Sequence, residues 1–256
     1  MQLARAMLLI LALFGVPLAI SIATHTPAAA SWQTASRDPT GLAPNPALVR
    51  EPVIQVYAAP TFGWRGAFAV HSWIIVKREG ASAYVRYDVV RWGGPPHVRR
   101  DFAAPDGQWF SARPELLVDR RGDGVEALID QVEAAVESYP HNGSYRTWPG
   151  PNSNTFIAHI GRNVPELQLD LPANAIGKDY RTIGEAIGRA PSGTGIQASL
   201  YGVLGVIAAP EEGLEINLLG LSLGVDFARP ALRLPGLGRI GIRGAAAPVG
   251  GERAHK

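Results

Sequence analysis

Two residues that lie far apart in the sequence have side chains that could cooperate in nucleophilic chemistry. His71 stands in the apolar stretch HSWIIV, and Ser153 stands in the polar run WPGPNSNTF, where a helical pattern begins. An imidazole that removes its proton makes a serine hydroxyl a nucleophile, and the free N–H groups of a helix start stabilise the developing oxyanion. The pair predicts a serine-type site. A hydrogen-bonded strand histidine and a helix-capping serine would explain the same residues.

The residues around this pair could supply the other groups that such a site requires. Asp88 and Tyr87, on the next predicted strand, are candidates for a third residue that orients the imidazole. The expected substrate contacts are polar and aromatic side chains near the pair: Asn152, Asn154, Trp148, Tyr145 and Arg86.

A cluster of basic residues surrounds the turn at 93–96 and could hold a phosphate or a carboxylate. Its members are Arg86, Arg91, His97, Arg99 and Arg100. Asp88 and Asp101 would neutralise part of that charge, so a solvated surface is the alternative. His141, Asn142 and His159 have a spacing that fits no metal-ligand pattern, and we expect neither a metal nor a cofactor.

The composition excludes several classes of function. The 24 Lys and Arg residues against 22 Asp and Glu give a net charge of +2, which is too even to predict nucleic-acid binding. Because the chain has no cysteine, it has no disulfide, no thiolate metal site and no cysteine nucleophile.

The N-terminus has the pattern of an export segment. Arg5 precedes an apolar run from Met7 to Ala23, and small residues follow as far as Ala30. Residues 1–30 are therefore predicted to be a signal peptide or a membrane anchor, with cleavage and retention equally expected. The folded part would be periplasmic, or anchored in the cytoplasmic membrane and facing outward.

The residues after this segment predict one α+β domain at 53–191, preceded by an extended lead-in at 31–52. Alternating and β-branched patterns indicate strands at 53–57, 67–77 and 83–92, and His71 lies in the second of them. Helical spacing indicates one helix between Asp123, a predicted N-cap, and Pro140, and another that begins at Asn152 or Ser153. We expect the sheet that carries His71 to pack on the helix that carries Ser153.

The C-terminal part has a different character. Two apolar, glycine-rich runs, 195–208 and 214–227, flank the sequence PEEG and predict a long β-hairpin that turns at 210–213. The hairpin and a surface crossing would occupy 192–243, and 244–256 would be a disordered tail. The hairpin would belong to the core, or it would lie on the membrane or pair with another chain.

The text from Ile54 to Lys77, together with WPGPNSNTF and IGKDY, resembles a bacterial family called domain of unknown function 3750. The resemblance runs from about Trp32 to Arg239. More distantly, His71 followed by the helix-opening NSNTF is similar to the circularly permuted papain-like enzymes of the NlpC/P60 and lecithin-retinol acyltransferase kind, with Ser153 in place of their cysteine.

This second resemblance implies a hydrolase or acyltransferase that acts on a peptide, an amide or a lipid ester at the cell envelope. The alternative is a non-catalytic module that binds a cell-wall peptide or lipid in the same cleft. His71 and Ser153 would then serve as hydrogen-bonding groups.

Overall fold

The computed structural model describes residues 2–241, which form three α-helices and two antiparallel sheets. The α+β class is therefore confirmed. The predicted tail at 244–256 lies outside the described residues.

The first sheet has five strands in the order β4-β3-β2-β1-β5. They are β1 (Val53–Pro60), β2 (Val70–Lys77), β3 (Val85–Val89), β4 (Val98–Arg100) and β5 (Glu115–Arg121). The β-branched and aromatic residues of β1 and β2 are almost completely buried, because both faces of this sheet are covered. The antiparallel pairing of β2 with β3, expected from the sequence, is present.

Helices α2 (Val125–Glu137) and α3 (Ser153–Asn163) pack on one face of the first sheet. Ile74, Ile129 and Phe156 lie in the apolar core between them. The opposite face is covered by the lead-in and by residues 109–112 around Trp109. The N-cap predicted at Asp123 is wrong: the N-cap is Gly124, whose φ of 80° turns the chain into the helix one residue later.

The second sheet is a meander of seven strands, which we call the meander. They are β6 (Ile187–Gly188), β7 (Ile196–Leu200), β8 (Leu204–Ala209), β9 (Gly213–Leu218), β10 (Leu221–Asp226), β11 (Ala231–Leu234) and β12 (Gly238–Gly241).

The single long hairpin predicted at 195–227 is wrong in its connections, because each of its two runs forms two strands. Tyr201 and Gly202 turn the first run at φ values of 52° and 68°, and Leu219 and Gly220 turn the second at 54° and 85°. Successive residues with positive φ are the geometry of a tight hairpin turn. The predicted reversal near 210–213 is present between β8 and β9.

Helix α1 (Gln2–Thr24) projects from the rest of the chain and contacts it at its C-terminal end. Its stretch Met7–Thr24 is long and apolar enough to cross a membrane, and only 11% of this stretch is buried. Ser21 donates a hydrogen bond to the Ala67 carbonyl, and a Cβ at Gly236 would lie 2.8 Å from the Ser21 Cβ. The helix is thus compatible with a signal sequence or an anchor, and its last turns pack against the short helical segment Gly63–Ala67 and against the meander.

Candidate functional site

His71 belongs to a buried cluster of charged and aromatic side chains on one face of the first sheet. Its Nε2 lies 2.9 Å from Asp88 Oδ1, and its ring stacks on Trp109 with 3.6 Å between the ring centroids. Arg86 binds the same carboxylate through its Nε at 2.5 Å and lies over the Trp73 ring. Asp88 thus binds both the imidazole and the guanidinium, and its role as a catalytic third residue stays a prediction.

Burial and pairing set the protonation of this cluster. Burial lowers the pKa of His71, and its hydrogen bond to Asp88 offsets only part of that effect. Burial opposes ionisation of Asp88, but Arg86 and His71 outweigh it and hold the pKa of Asp88 below its usual range. A neutral His71 therefore donates its Nε2 proton to an ionised Asp88, which leaves Nδ1 as the basic nitrogen. Nδ1 forms no hydrogen bond within residues 2–241.

The structure does not bring His71 and Ser153 together. Successive side chains of a strand point to opposite faces. Ser72 points to α3, where its Oγ donates to Asn154 Oδ1 at 2.8 Å, so His71 points to the other face. Trp73, two residues farther along β2, lies on that other face with Trp109. The sheet thus separates the imidazole from the helix that Ser153 heads.

The motif NSNT at the head of α3 ties together three segments of the chain. Asn152 is the N-cap and forms a capping box with Thr155. Asn152 Nδ2 also donates to the carbonyls of Thr147 and Ile176, and Asn154 Nδ2 donates to those of Val70 and Ile176. The predicted substrate contacts Asn152 and Asn154 therefore hold the fold, with their amides already bonded to the chain.

Ser153 itself differs from its neighbours in the motif. It is the first residue of α3 and is 4% exposed, and its hydroxyl forms no hydrogen bond within the described residues. Helix capping therefore does not account for Ser153, since Asn152 performs that role.

The remaining predicted site residues are dispersed. Tyr87 lies on the α3 side of the sheet, where its hydroxyl donates to Glu133 Oε1 at 3.2 Å, so it does not orient His71. Arg86 is fully buried by its contacts with Asp88 and the Ala104 carbonyl. Trp148 is 52% exposed and donates to the Leu219 carbonyl, and Tyr145 packs against the core beside His97.

The basic residues around the turn at 93–96 do not converge on one point. Arg99 donates to three backbone carbonyls of that turn, and His97 bonds the Val90 carbonyl. Arg100 Nε lies 3.5 Å from Asp101 Oδ2, and the Arg91 side chain is exposed. Arg99 thus stabilises the turn itself. The structure finds no group of three His, Asp or Glu residues suited to a metal in the part of the chain that it describes.

A cleft of about 280 Å³ lies where the chain leaves helix α1. Four segments line it: His25 and Thr26, Ala28 and Ala29, 60–63, and 110–113. The walls are apolar at Phe62 and Phe110, whereas Arg113 is exposed and forms no ion pair within residues 2–241. We call this space the anchor cleft.

The anchor cleft is close to the His71 cluster along the chain. Ala59 is the β1 residue paired with His71, and the next residue, Pro60, lines the cleft. Phe110, on the other wall, follows the Trp109 that covers the imidazole.

Sequence reasoning missed two features of this region. Phe110 and Ser111 have positive φ values of 51° and 69°, which make the tight turn that places Trp109 over His71, and no glycine marks that turn in the sequence. Arg113 carried no pattern that distinguished it from other surface arginines, because only the folded chain places it beside α1.

A further buried cluster lies on the inner face of the meander. Lys178 Nζ binds Glu215 at 2.7 Å and Asp179 at 3.0 Å, and Asp179 accepts hydrogen bonds from Gln197 and Asn217. Burial would lower the pKa of Lys178, but the two carboxylates outweigh it and raise that pKa. Arg233 Nη1 lies 3.1 Å from the other Glu215 oxygen, so two cations face the two carboxylates, and the cluster joins the segment IGKDY to the meander.

The fold and the site define an α+β protein with an N-terminal apolar helix, a buried Asp–His pair and a cleft at the base of that helix. A family model described as protein of unknown function (DUF3750) matches residues 51–180, which is half of the chain. The chain belongs to that family, as the sequence predicted. No curated protein and no solved structure matches the chain.

Proposed function

We propose that this protein is an exported, membrane-tethered binding module that holds a lipid with an anionic head group in the anchor cleft. Its support is the position of the cleft at the end of the apolar helix α1, where a membrane-spanning helix would leave the bilayer. A lipid at that depth could enter the cleft without crossing water.

The lining of the anchor cleft has the two kinds of surface that an amphiphile needs. Phe62, Phe110 and the alanines at 28 and 29 offer apolar contact to an acyl chain. Arg113, with no carboxylate partner within residues 2–241, offers a planar set of donors to a phosphate or carboxylate. His25 Nε2 is already bonded to the Gly63 carbonyl, so Arg113 carries the specificity in this proposal.

Binding can be measured on the full chain in nanodiscs, with a fluorescent short-chain phosphatidylglycerol as the probe. A charge-assisted hydrogen bond contributes about 1.5 to 3 kcal/mol, so Arg113→Gln should weaken binding by about tenfold or more. Arg50→Gln is the matched control, because Arg50 has an 88% exposed side chain whose one ion pair is a long 3.9 Å contact. Equal affinity in the wild type and Arg113→Gln would refute the proposal, and tighter binding of a muropeptide probe would favour a cell-wall peptide instead.

The hydrolase or acyltransferase stays a prediction, and one observation supports a general base, although His71 lies across the first sheet from Ser153 and is therefore not the base for that hydroxyl. Asp88 holds a neutral His71 with its Nδ1 unbonded, which is the state that a general base requires. A fluorophosphonate probe tests a reactive serine directly: it should label Ser153 in the wild type and fail in Ser153→Ala, whereas His71→Gln should be labelled like the wild type because His71 lies across the first sheet from Ser153. Without labelling of the wild-type serine, the binding module is the better account.

A further inference from the structure

The meander exposes apolar side chains and buries polar ones, which is the reverse of an ordinary sheet with one face in water. Along β9, Leu214 and Ile216 are exposed, whereas Glu215 and Asn217, which alternate with them, are buried. Along β7, Ile196 and Leu200 are exposed and the polar residues between them are buried. An antiparallel sheet with one solvated face normally turns its apolar side chains inward. Here the polar side chains face the Lys178 cluster, and the apolar side chains form what we call the outer face.

The outer face is continuous across the meander. Neighbouring strands pair apolar residue with apolar residue, and two rows of such pairs run side by side. The first row is Ile196, Ala208, Leu214, Val225, Leu232 and Ile240, and the second is Ala198, Val206, Ile216 and Leu223. Six strands at the usual spacing make the first row about 24 Å long. None of these outward positions carries a charge, and soluble monomers rarely expose so large an apolar surface.

Helix α1 fixes where this face sits. The helix contacts β10 and β11, and the turn after β11 brings Gly236 against Ser21, in the last turns of α1. The apolar helix itself is almost uncovered, so its only suitable environment as an anchor is the hydrocarbon of a bilayer. A sheet that touches the end of such a helix is held at the bilayer surface.

We infer that the outer face of the meander lies on the lipid bilayer that α1 enters. The aliphatic side chains immerse in the boundary between head groups and acyl chains, as the apolar side of an interfacial helix does. The backbone is compatible with this depth, because the inner strands of the meander have paired N–H and C=O groups on both edges. Trp64, which is 66% exposed on the short helical segment that contacts α1, suits the same interface.

The bilayer fits this face better than a second copy of the chain does. Contact with α1 brings the meander to the membrane in each single molecule, and lipid is then the neighbour that requires no further association. This inference does not rest on lipid binding in the anchor cleft, since Arg113 and the cleft walls lie outside the meander.

The absence of cysteine from the chain makes the test direct, because one introduced cysteine carries one spin label. Ile216→Cys and Val206→Cys place labels on two paired strands of the outer face, at positions that are 52% and 54% exposed. Ser82→Cys is the matched control: it is exposed and lies in the loop between β2 and β3, at the end of β2 away from the segment that contacts α1. The full-length variants are reconstituted in vesicles of phosphatidylethanolamine and phosphatidylglycerol.

Collision of the label with dissolved oxygen and with a water-soluble nickel complex distinguishes the possible neighbours of the face. At 216 and 206, we expect oxygen collisions to exceed nickel collisions severalfold, with the reverse at 82. Nickel access at 216 and 206 equal to that at 82 would show a solvated face and overturn the inference. Low access to both reagents, with spin–spin broadening, would show a second copy on the face and overturn it as well. Circular dichroism of each variant checks its fold, and agreement between the two positions excludes a local disturbance.

Discussion

The two sheets of this protein bury opposite kinds of side chain. The first sheet packs aliphatic and aromatic residues against α2 and α3, with Ile74, Ile129 and Phe156 fully buried. The meander buries Glu215, Asn217 and Arg233 and exposes most of its aliphatic residues, although Ile207 is buried. Apolar burial drives the first arrangement. The second depends on ion pairs and hydrogen bonds inside, and on an apolar neighbour outside.

This difference predicts how each region responds to substitution. A core of apolar side chains loses stability in proportion to the volume removed. A buried charged network tolerates little, because each lost partner leaves an uncompensated charge in a poorly solvated place. The free energy of unfolding of the detergent-solubilised full chain, measured in urea, compares the two.

The largest expected effect is at Lys178. Lys178→Ala removes the cation that Asp179 and Glu215 share, so it should lower the free energy of unfolding by about 3 to 5 kcal/mol. Arg78→Ala is the control, because Arg78 binds even more carboxylates, three, but keeps a 42% exposed side chain. Water screens that network, and its loss should cost about 1 kcal/mol or less. Similar costs for the two variants would contradict a buried, charge-dependent interior in the meander.

Truncating one apolar side chain in each sheet region tests the same comparison between the first sheet and the meander. Phe156→Ala, in the core under the first sheet, should cost about 3 to 5 kcal/mol. Ile216→Ala, on the outer face of the meander, should stay within about 0.5 kcal/mol in detergent because its side chain is already half exposed. A large cost at Ile216 would mean that the outer face is packed against protein.

Glu212 gives the meander a dependence on pH. Burial raises the pKa of Glu212 to about 7, although Ser192 donates two hydrogen bonds to its carboxylate. Because the folded pKa lies above the ordinary value of 4.5, the stabilisation is complete below about pH 4.5 and is lost as the pH rises to about 7. The total loss is about 3 kcal/mol.

The measurement is urea unfolding at pH 5 and pH 8 for the wild type and Glu212→Gln. Buried His71 has a lowered pKa, so it lowers the free energy of unfolding as the pH falls, which is the opposite of the effect of Glu212. Both proteins contain His71, and the comparison between them therefore isolates the Glu212 carboxyl. In Glu212→Gln, the free energy of unfolding should no longer fall between pH 5 and pH 8 by the amount that Glu212 contributes. Identical pH profiles would contradict a raised pKa.

The sequence predicted much of the first sheet and little of the meander, for a physical reason. Periodicity identified α2 and the paired strands β2 and β3 because their apolar residues face a core. In the meander the same alternation is inverted, and alternation alone does not say which face is buried. The turns at Tyr201–Gly202 and Leu219–Gly220 lack the usual Asn-Gly signal, so two hairpins were read as two strands.

The candidate site was predicted in part. Asp88 and Tyr87 were both candidates for a partner of His71, because residues on neighbouring strands of a hairpin are spatial neighbours, and only Asp88 contacts the imidazole. The meeting of His71 with Ser153 depends on which face of β2 the histidine occupies. A shift of one residue reverses that face, and the pattern of HSWIIV, where both faces are buried, does not determine it.

At the head of α3, two adjacent residues separate structure from reactivity, and one of them has among the smallest expected effects. Asn152→Ala should lower the free energy of unfolding by about 1 to 2 kcal/mol, because it removes the cap of α3. Asn152→Asp keeps the capping oxygen and should recover part of that loss. Ser153→Ala should change stability by less than about 0.5 kcal/mol, since the Ser153 hydroxyl forms no hydrogen bond within residues 2–241. A cost at Ser153 equal to that at Asn152 would reveal a partner that holds the hydroxyl, and the next question would be whether that partner is a base.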